Sequence, residues 1–140
     1  MVPDIQFSVL CDDVRQEING HFQFLGVFGD GIAVKQFPFR LFRLCIANRW
    51  VCGQGDFKQK TTIFMPDGKT PFLQGKEVQI RLQNGGATHT SIEQFLGTEF
   101  KDPGTYWIEV NLDGELRARY PFTVRLAPPP PSSMPAAPKA

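Results

Sequence analysis

Apolar residues recur along this chain mostly at every second position, in short runs bounded by Gly, Pro, Asn and Asp. That period belongs to strands with one face on a core. It predicts strands over residues 5–10, 21–28, 39–47, 57–65, 77–82, 92–96, 105–112 and 115–126, all rich in Phe, Val, Ile and Thr. No long segment carries the i, i+3, i+4, i+7 repeat of a helix. The stretch 14–18 is too short, and 90–100 is aromatic with Gly97 in its middle. Short strands at this spacing indicate an all-β sandwich or small barrel.

The last two strands can be set against each other. Tyr106, Ile108, Val110 and Leu112 alternate with Trp107, Glu109 and Asn111. Leu116, Ala118, Tyr120, Phe122 and Val124 alternate with Arg117, Arg119, Thr123 and Arg125. A two-residue turn at Asp113-Gly114 would pair even positions with odd ones and send one apolar row to solvent. A three-residue loop, Leu112-Asp113-Gly114, with Gly114 left-handed in a G1 bulge, restores the parity. It pairs Ile108 with Ala118 and Val110 with Leu116 inside, and Glu109 with Arg117 and Trp107 with Arg119 outside. By the same alternation Phe22, Phe24, Phe42 and Phe122 face the core.

Asp102-Pro103-Gly104-Thr105-Tyr106 resembles the Asp-x-Gly-x-Tyr signature of immunoglobulin-like sandwiches, in which the Tyr hydroxyl bonds back to the upstream backbone. The resemblance implies an immunoglobulin-like antiparallel β-sandwich of seven or eight strands. Asp102, Gly104, Tyr106 and Gly114 then have structural roles. Ile108 stands where antibody domains carry a cysteine, so no inter-sheet bridge is expected. The start Leu10-Cys11-Asp12-Asp13-Val14-Arg15, with Phe24-Leu25-Gly26 and Pro103-Gly104-Thr105-Tyr106, is similar to a family of small uncharacterised bacterial proteins. That resemblance implies a β-sandwich and brings no assigned activity.

Composition changes this picture at one end. Residues 127–140 hold six of the 12 prolines and none of the 13 Phe. They read as a Pro-rich disordered tail behind a domain of residues 1–126. Lys139 is the tail's one charge, so the other 14 Lys and Arg balance 14 Asp and Glu. A neutral domain does not attract polyanions, and nucleic acid and membrane partners are not expected. The start has no basic, apolar leader. With three unpaired cysteines, Cys11, Cys45 and Cys52, it points to the cytoplasm.

Candidate chemistry is sparse. Cys11, Asp12 and Asp13 fall in a predicted loop after the first strand, where they and His89 form a possible ligand, metal or hydrolytic site. No orienting third group, DxDxDG run or metal-ligand spacing accompanies them. Asn84-Gly85-Gly86 lacks a phosphate-loop pattern. No cofactor is implied. The alternative is a surface built from residues that fit the interior least, Phe37, Phe39 and Trp50, and from the outer row Trp107, Arg117 and Arg119. The expectation is a non-catalytic interaction or structural module that binds protein, itself or another, with a small enzyme or ligand-binding domain as the alternative. The sequence leaves the oligomeric state open.

Overall fold

A chain without helical periodicity satisfies its backbone groups across strands. The computed structural model describes residues 1–128, and there the chain forms ten strands. They are β1 (Asp4–Gln16), β2 (Phe22–Val27), β3 (Gly31–Val34), β4 (Phe39–Val51) and β5 (Gly55–Phe64), then β6 (Pro71–Gln74), β7 (Val78–Leu82), β8 (His89–Phe100), β9 (Gly104–Leu112) and β10 (Glu115–Leu126). One sheet has the order β2-β1-β4-β8. The other runs β3-β10-β9-β5-β6, with β7 also paired to β5. All eight predicted segments are strands. The additions, β3 and β6, have four residues each, too few for alternation to register. β3 runs parallel to β10, so the architecture is all-β but not wholly antiparallel. The proposed tail lies outside the described residues from position 129 onward.

The β9–β10 hairpin corrects the predicted loop. Leu112 pairs directly with Glu115, so the turn has two residues, and Asp113 and Gly114 both take positive φ (50° and 81°). Parity is restored inside the strand instead. A register shift between Leu116 and Ala118 makes Arg117 the extra residue of a bulge, after which Ala118 faces Val110 and Tyr120 faces Ile108. Leu116, on the turn side of the bulge, pairs with Asn111 and is 52% exposed rather than inward.

The core lies between the sheets. Leu10, Leu44, Ile46 and Trp50 from the first meet Ile63, Ile80, Ile108, Val110 and Leu112 from the second. One end of this interior is aromatic. Phe100 and Tyr106 pack edge-on with ring centroids 5.1 Å apart, Phe72 lies about equally close to both, and Phe122 reaches Phe100 and Phe28. The Tyr106 hydroxyl donates to the carbonyl of Asp102 at 3.0 Å, which satisfies the one polar atom of that buried ring.

The other end is polar. Buried Gln59 accepts from Trp50 Nε1 at 2.7 Å and from Ser91 Oγ at 2.9 Å, while Asn48 Nδ2 donates to Thr61 Oγ1. Asn48 Oδ1, Gln59 Nε2 and Glu93 Oε1 are buried without a partner.

β4 carries five consecutive buried residues, Leu44–Asn48, so both its faces are covered. The second cover is the end of β1 together with β2. Phe7 aligns with Arg49, whereas Phe24 aligns with Val14, seven β1 positions farther along. A straight ribbon would hold those rings about 23 Å apart at ~3.3 Å per residue. Their centroids are 5.7 Å apart. Residues 12–27 therefore fold back as an arm across the outer face of the first sheet. Gly26 takes φ 65° there, with its Cβ position 3.0 Å from Asp12 Cβ.

Candidate functional site

An edge strand exposes a row of backbone donors and acceptors unless something pairs with it. β8 is such a strand. It bonds only to β4, from Trp50–His89 to Phe39–Phe100, and no backbone partner meets its other side among the described residues. Sheet edges are usually protected by charged side chains, Pro, bulges or a covering loop. β8 contains no Lys, Arg or Pro; its protection is the inward Glu93 and the irregularity at Gly97, and its outward row is Thr90, Ile92, Gln94 and Leu96. Its first residue is tied down, since His89 Nδ1 accepts from the Arg81 backbone N–H.

Beyond this edge lies a cleft of about 510 Å³, with Ile92, Glu93 and Phe95 on one wall and Gln74, Lys76 and Val78 on the other. Glu93 pairs with Ile46 and so turns inward. Burial pushes its carboxyl above the usual glutamate range, against hydrogen bonds from the Thr61 side chain and the Lys76 backbone. A Cβ at Gly75 would collide with the Glu93 carboxylate and with the Thr61 backbone carbonyl, which cannot move aside, so glycine lets the linker lie this close.

An apolar strip continues from the edge onto the outer face. Leu96 is 66% exposed, Ile92 39%, and Phe42 on the adjacent strand 75%. Strict alternation from Leu44 would turn Phe42 inward. The β4–β8 ladder instead skips the Phe42–Gly97 pair, and Gly97 takes φ 65°, so the inward row moves to Leu41 and Thr98. The Arg43 guanidinium lies 5.7 Å from the Phe42 ring centre. Phe22 is likewise exposed and Phe24 half-buried on the arm, while Phe122 faces the core as expected.

The residues singled out from the sequence are spread over the molecule. Trp50 is fully buried, and Phe37 and Phe39 pack half-buried against the core, so these three leave the candidate surface. Phe39 follows the shifted inward row with Leu41, whereas Trp50 continues the row of Leu44 and Ile46, past the predicted strand end at 47. Trp107 and Arg119 do stack, at 4.1 Å from the guanidinium carbon to the ring centre. The contact is diagonal, because Trp107 lies opposite Pro121 and Arg119 opposite Glu109. Arg119 pairs with Glu109 and Arg117 with Glu115, which neutralises this row of the second sheet.

Cys11, Asp12 and Asp13 are not in a loop. They lie within β1, which continues to Gln16. Arg43 Nε donates to the Asp12 carbonyl at 2.8 Å, and its guanidinium lies 3.5–3.6 Å from both carboxylates. Arg15, with Arg43 and the Val14 N–H, holds Asp13 below the usual aspartate range. His89 aligns with Trp50, five β4 positions from the Cys45 that faces Cys11. That is about 17 Å at ~3.3 Å per residue, so the His and the acids share no site. No group of three His, Cys, Asp or Glu that could hold a metal occurs among the described residues. Among the same residues no helix is long and apolar enough to cross a membrane.

The chain belongs to a family of unknown function, DUF6941, which it matches over residues 6–125. No curated protein matches it. Among solved structures it is similar to the Pseudomonas fluorescens alkylpurine DNA glycosylase AlkC bound to DNA containing an abasic site analog. The identity is 12% and the TM-score 0.49, over 88% of this chain and 30% of that one. The chain thus spans under a third of that protein, and a likeness this distant carries no argument about activity. Family membership agrees with the resemblance to uncharacterised proteins and brings no reaction with it.

Proposed function

We propose that this protein is a non-catalytic interaction module that takes an extended segment of a partner protein alongside β8. One observation carries the reading: a 12-residue edge strand, unguarded by Lys, Arg or Pro, opens on a cleft of about 510 Å³. Strand addition draws affinity from main-chain hydrogen bonds and specificity from pockets for alternate side chains. Here Ile92, Leu96 and Phe42 favour apolar side chains on the outer side of the added segment. The wider reading is an immunoglobulin-like domain of residues 1–126 with an appended Pro-rich tail, working in the bacterial cytoplasm. The Tyr106–Asp102 hydrogen bond and the two facing sheets support the immunoglobulin-like assignment.

The test is selection from a peptide-display library with the full chain. Wild type enriches extended, alternately apolar peptides, Leu96→Lys loses them, and Trp107→Ala on the opposite sheet retains them. No enrichment, or enrichment indifferent to Leu96→Lys, overturns the reading.

A further inference from the structure

Cys11 and Cys45 are direct partners in the antiparallel β1–β4 ladder, with Leu10 and Ile46 as the next pair. Those neighbours face the inter-sheet core, so the two thiols share the opposite face, beneath the arm. Directly opposed Cα atoms in an antiparallel pair lie about 4.5–5.5 Å apart, inside the range that a disulfide spans. Both side chains are buried, and both cysteines are free thiols. The cover is the chain itself: Cys45 Sγ points at the Asp12 carbonyl at 3.7 Å, where β1 turns over it. The arm is held down by the Phe7–Phe24 contact and by Arg43 on Asp12 and Asp13. The Asp12 carboxylate is half exposed, which weakens its pair, whereas Arg43 and Asp13 are largely covered.

We propose that Cys11 and Cys45 are a paired modification site, closing to an intrachain disulfide by exchange with a small disulfide such as oxidised glutathione, with the arm controlling access. When the arm lifts, the Cys45 thiolate, beside Arg43, attacks one sulfur of the oxidant and releases one glutathione thiolate. The Cys11 thiolate then attacks the Cys45 mixed disulfide and releases the second. The two thiol protons pass by way of solvent to the two glutathione thiolates, so the cysteines are oxidised by two electrons and the glutathione disulfide is reduced to two thiols with no net proton release. With the arm closed, burial pushes the Cys11 thiol up to about 11 and raises Cys45 as well, which keeps the pair inert.

This site is independent of the β8 edge. The experiment uses the full chain carrying Cys52→Ser, which removes the exposed third thiol. After exposure to oxidised glutathione, intact mass falls by two hydrogens and a non-reducing digest yields a peptide joining Cys11 to Cys45, reversed by dithiothreitol. Adding Cys11→Ser traps glutathione on Cys45. Phe24→Ala speeds closure several-fold, and Asp13→Asn, which weakens the arm without removing packing, speeds it less. Only intermolecular adducts, no loss of the two hydrogens, or a rate unmoved by both arm variants would overturn the proposal.

Discussion

The two ends of the interior share β8 and are built by different means. At the aromatic end Phe72, Phe100, Tyr106 and Phe122 fill space with rings; the Tyr106 hydroxyl has its carbonyl, and the nearby Thr98 hydroxyl is the buried polar atom without a partner. At the polar end Gln59 alone serves two donors, while its own Nε2 and the neighbouring Asn48 Oδ1 and Glu93 Oε1 have no partner. The first end draws stability from area and packing, about 1.5–3 kcal/mol for each large apolar side chain fully buried. The second adds little net stability, because each hydrogen bond replaces one to water, yet a lost partner is costly. It lies along the unpaired edge of β8, whereas the aromatic end is shut by β6, β9 and β10. The end that packs best is the one farther from the candidate binding cleft.

The largest expected effect is at the aromatic end. Phe100→Ala destabilises by about 3–5 kcal/mol, read by chemical denaturation, since it strips three ring contacts at once. A loss below about 1 kcal/mol would place the mechanical centre of the fold elsewhere. Gln59→Ala costs about 1–3 kcal/mol, because Trp50 Nε1–H and Ser91 Oγ–H are left buried without an acceptor. Tryptophan emission reports the change at Trp50 directly, and an unshifted spectrum would contradict the bond.

The smallest effect has the opposite sign. The folded carboxyl of Glu93 titrates above its unfolded value, so its charge opposes folding at neutral pH, and that opposition fades as pH falls through the folded value. Glu93→Gln therefore raises the melting temperature at neutral pH, and its advantage narrows in mild acid. A lower melting temperature at neutral pH would mean that the carboxylate's hold on Thr61 and the Lys76 N–H outweighs its desolvation.

Period-two alternation made the strands legible, and Asp113-Gly114 marked the hairpin. Alternation failed wherever one residue was out of step. The Arg117 bulge moved the extra residue from the turn into β10, and the skipped Phe42–Gly97 pair exchanged inside and outside along β4 and β8. Phe42 was thus taken for core and Phe39 for surface, because a parity argument carries no information across a bulge, while Trp50 was missed because β4 runs on to Val51, past its predicted end. Cys11-Asp12-Asp13 resembled a loop because polar residues interrupt the run. The arm folding back explains why Asp12 sits on a strand yet meets solvent, while Asp13 is largely covered. The candidate edge was half legible: residues 92–96 were expected as strand, and the absence of Lys, Arg and Pro from 90–100 was a usable signal. Which strand lies at an edge depends on pairings distant in sequence, which local periodicity does not encode.

The parallel pairing of β3 with β10 bears on how the molecule carries load. β10 is held on one side by β9 over nearly its whole length and on the other by β3 at its last four residues, and the Ala127 N–H still bonds to the Val34 carbonyl. Tension drawn along β10 from the residues that follow it meets these hydrogen bonds side by side, as a shear, rather than opening them one after another. The exit of the chain is a braced attachment point, and whatever is fastened beyond it pulls on the body of the second sheet.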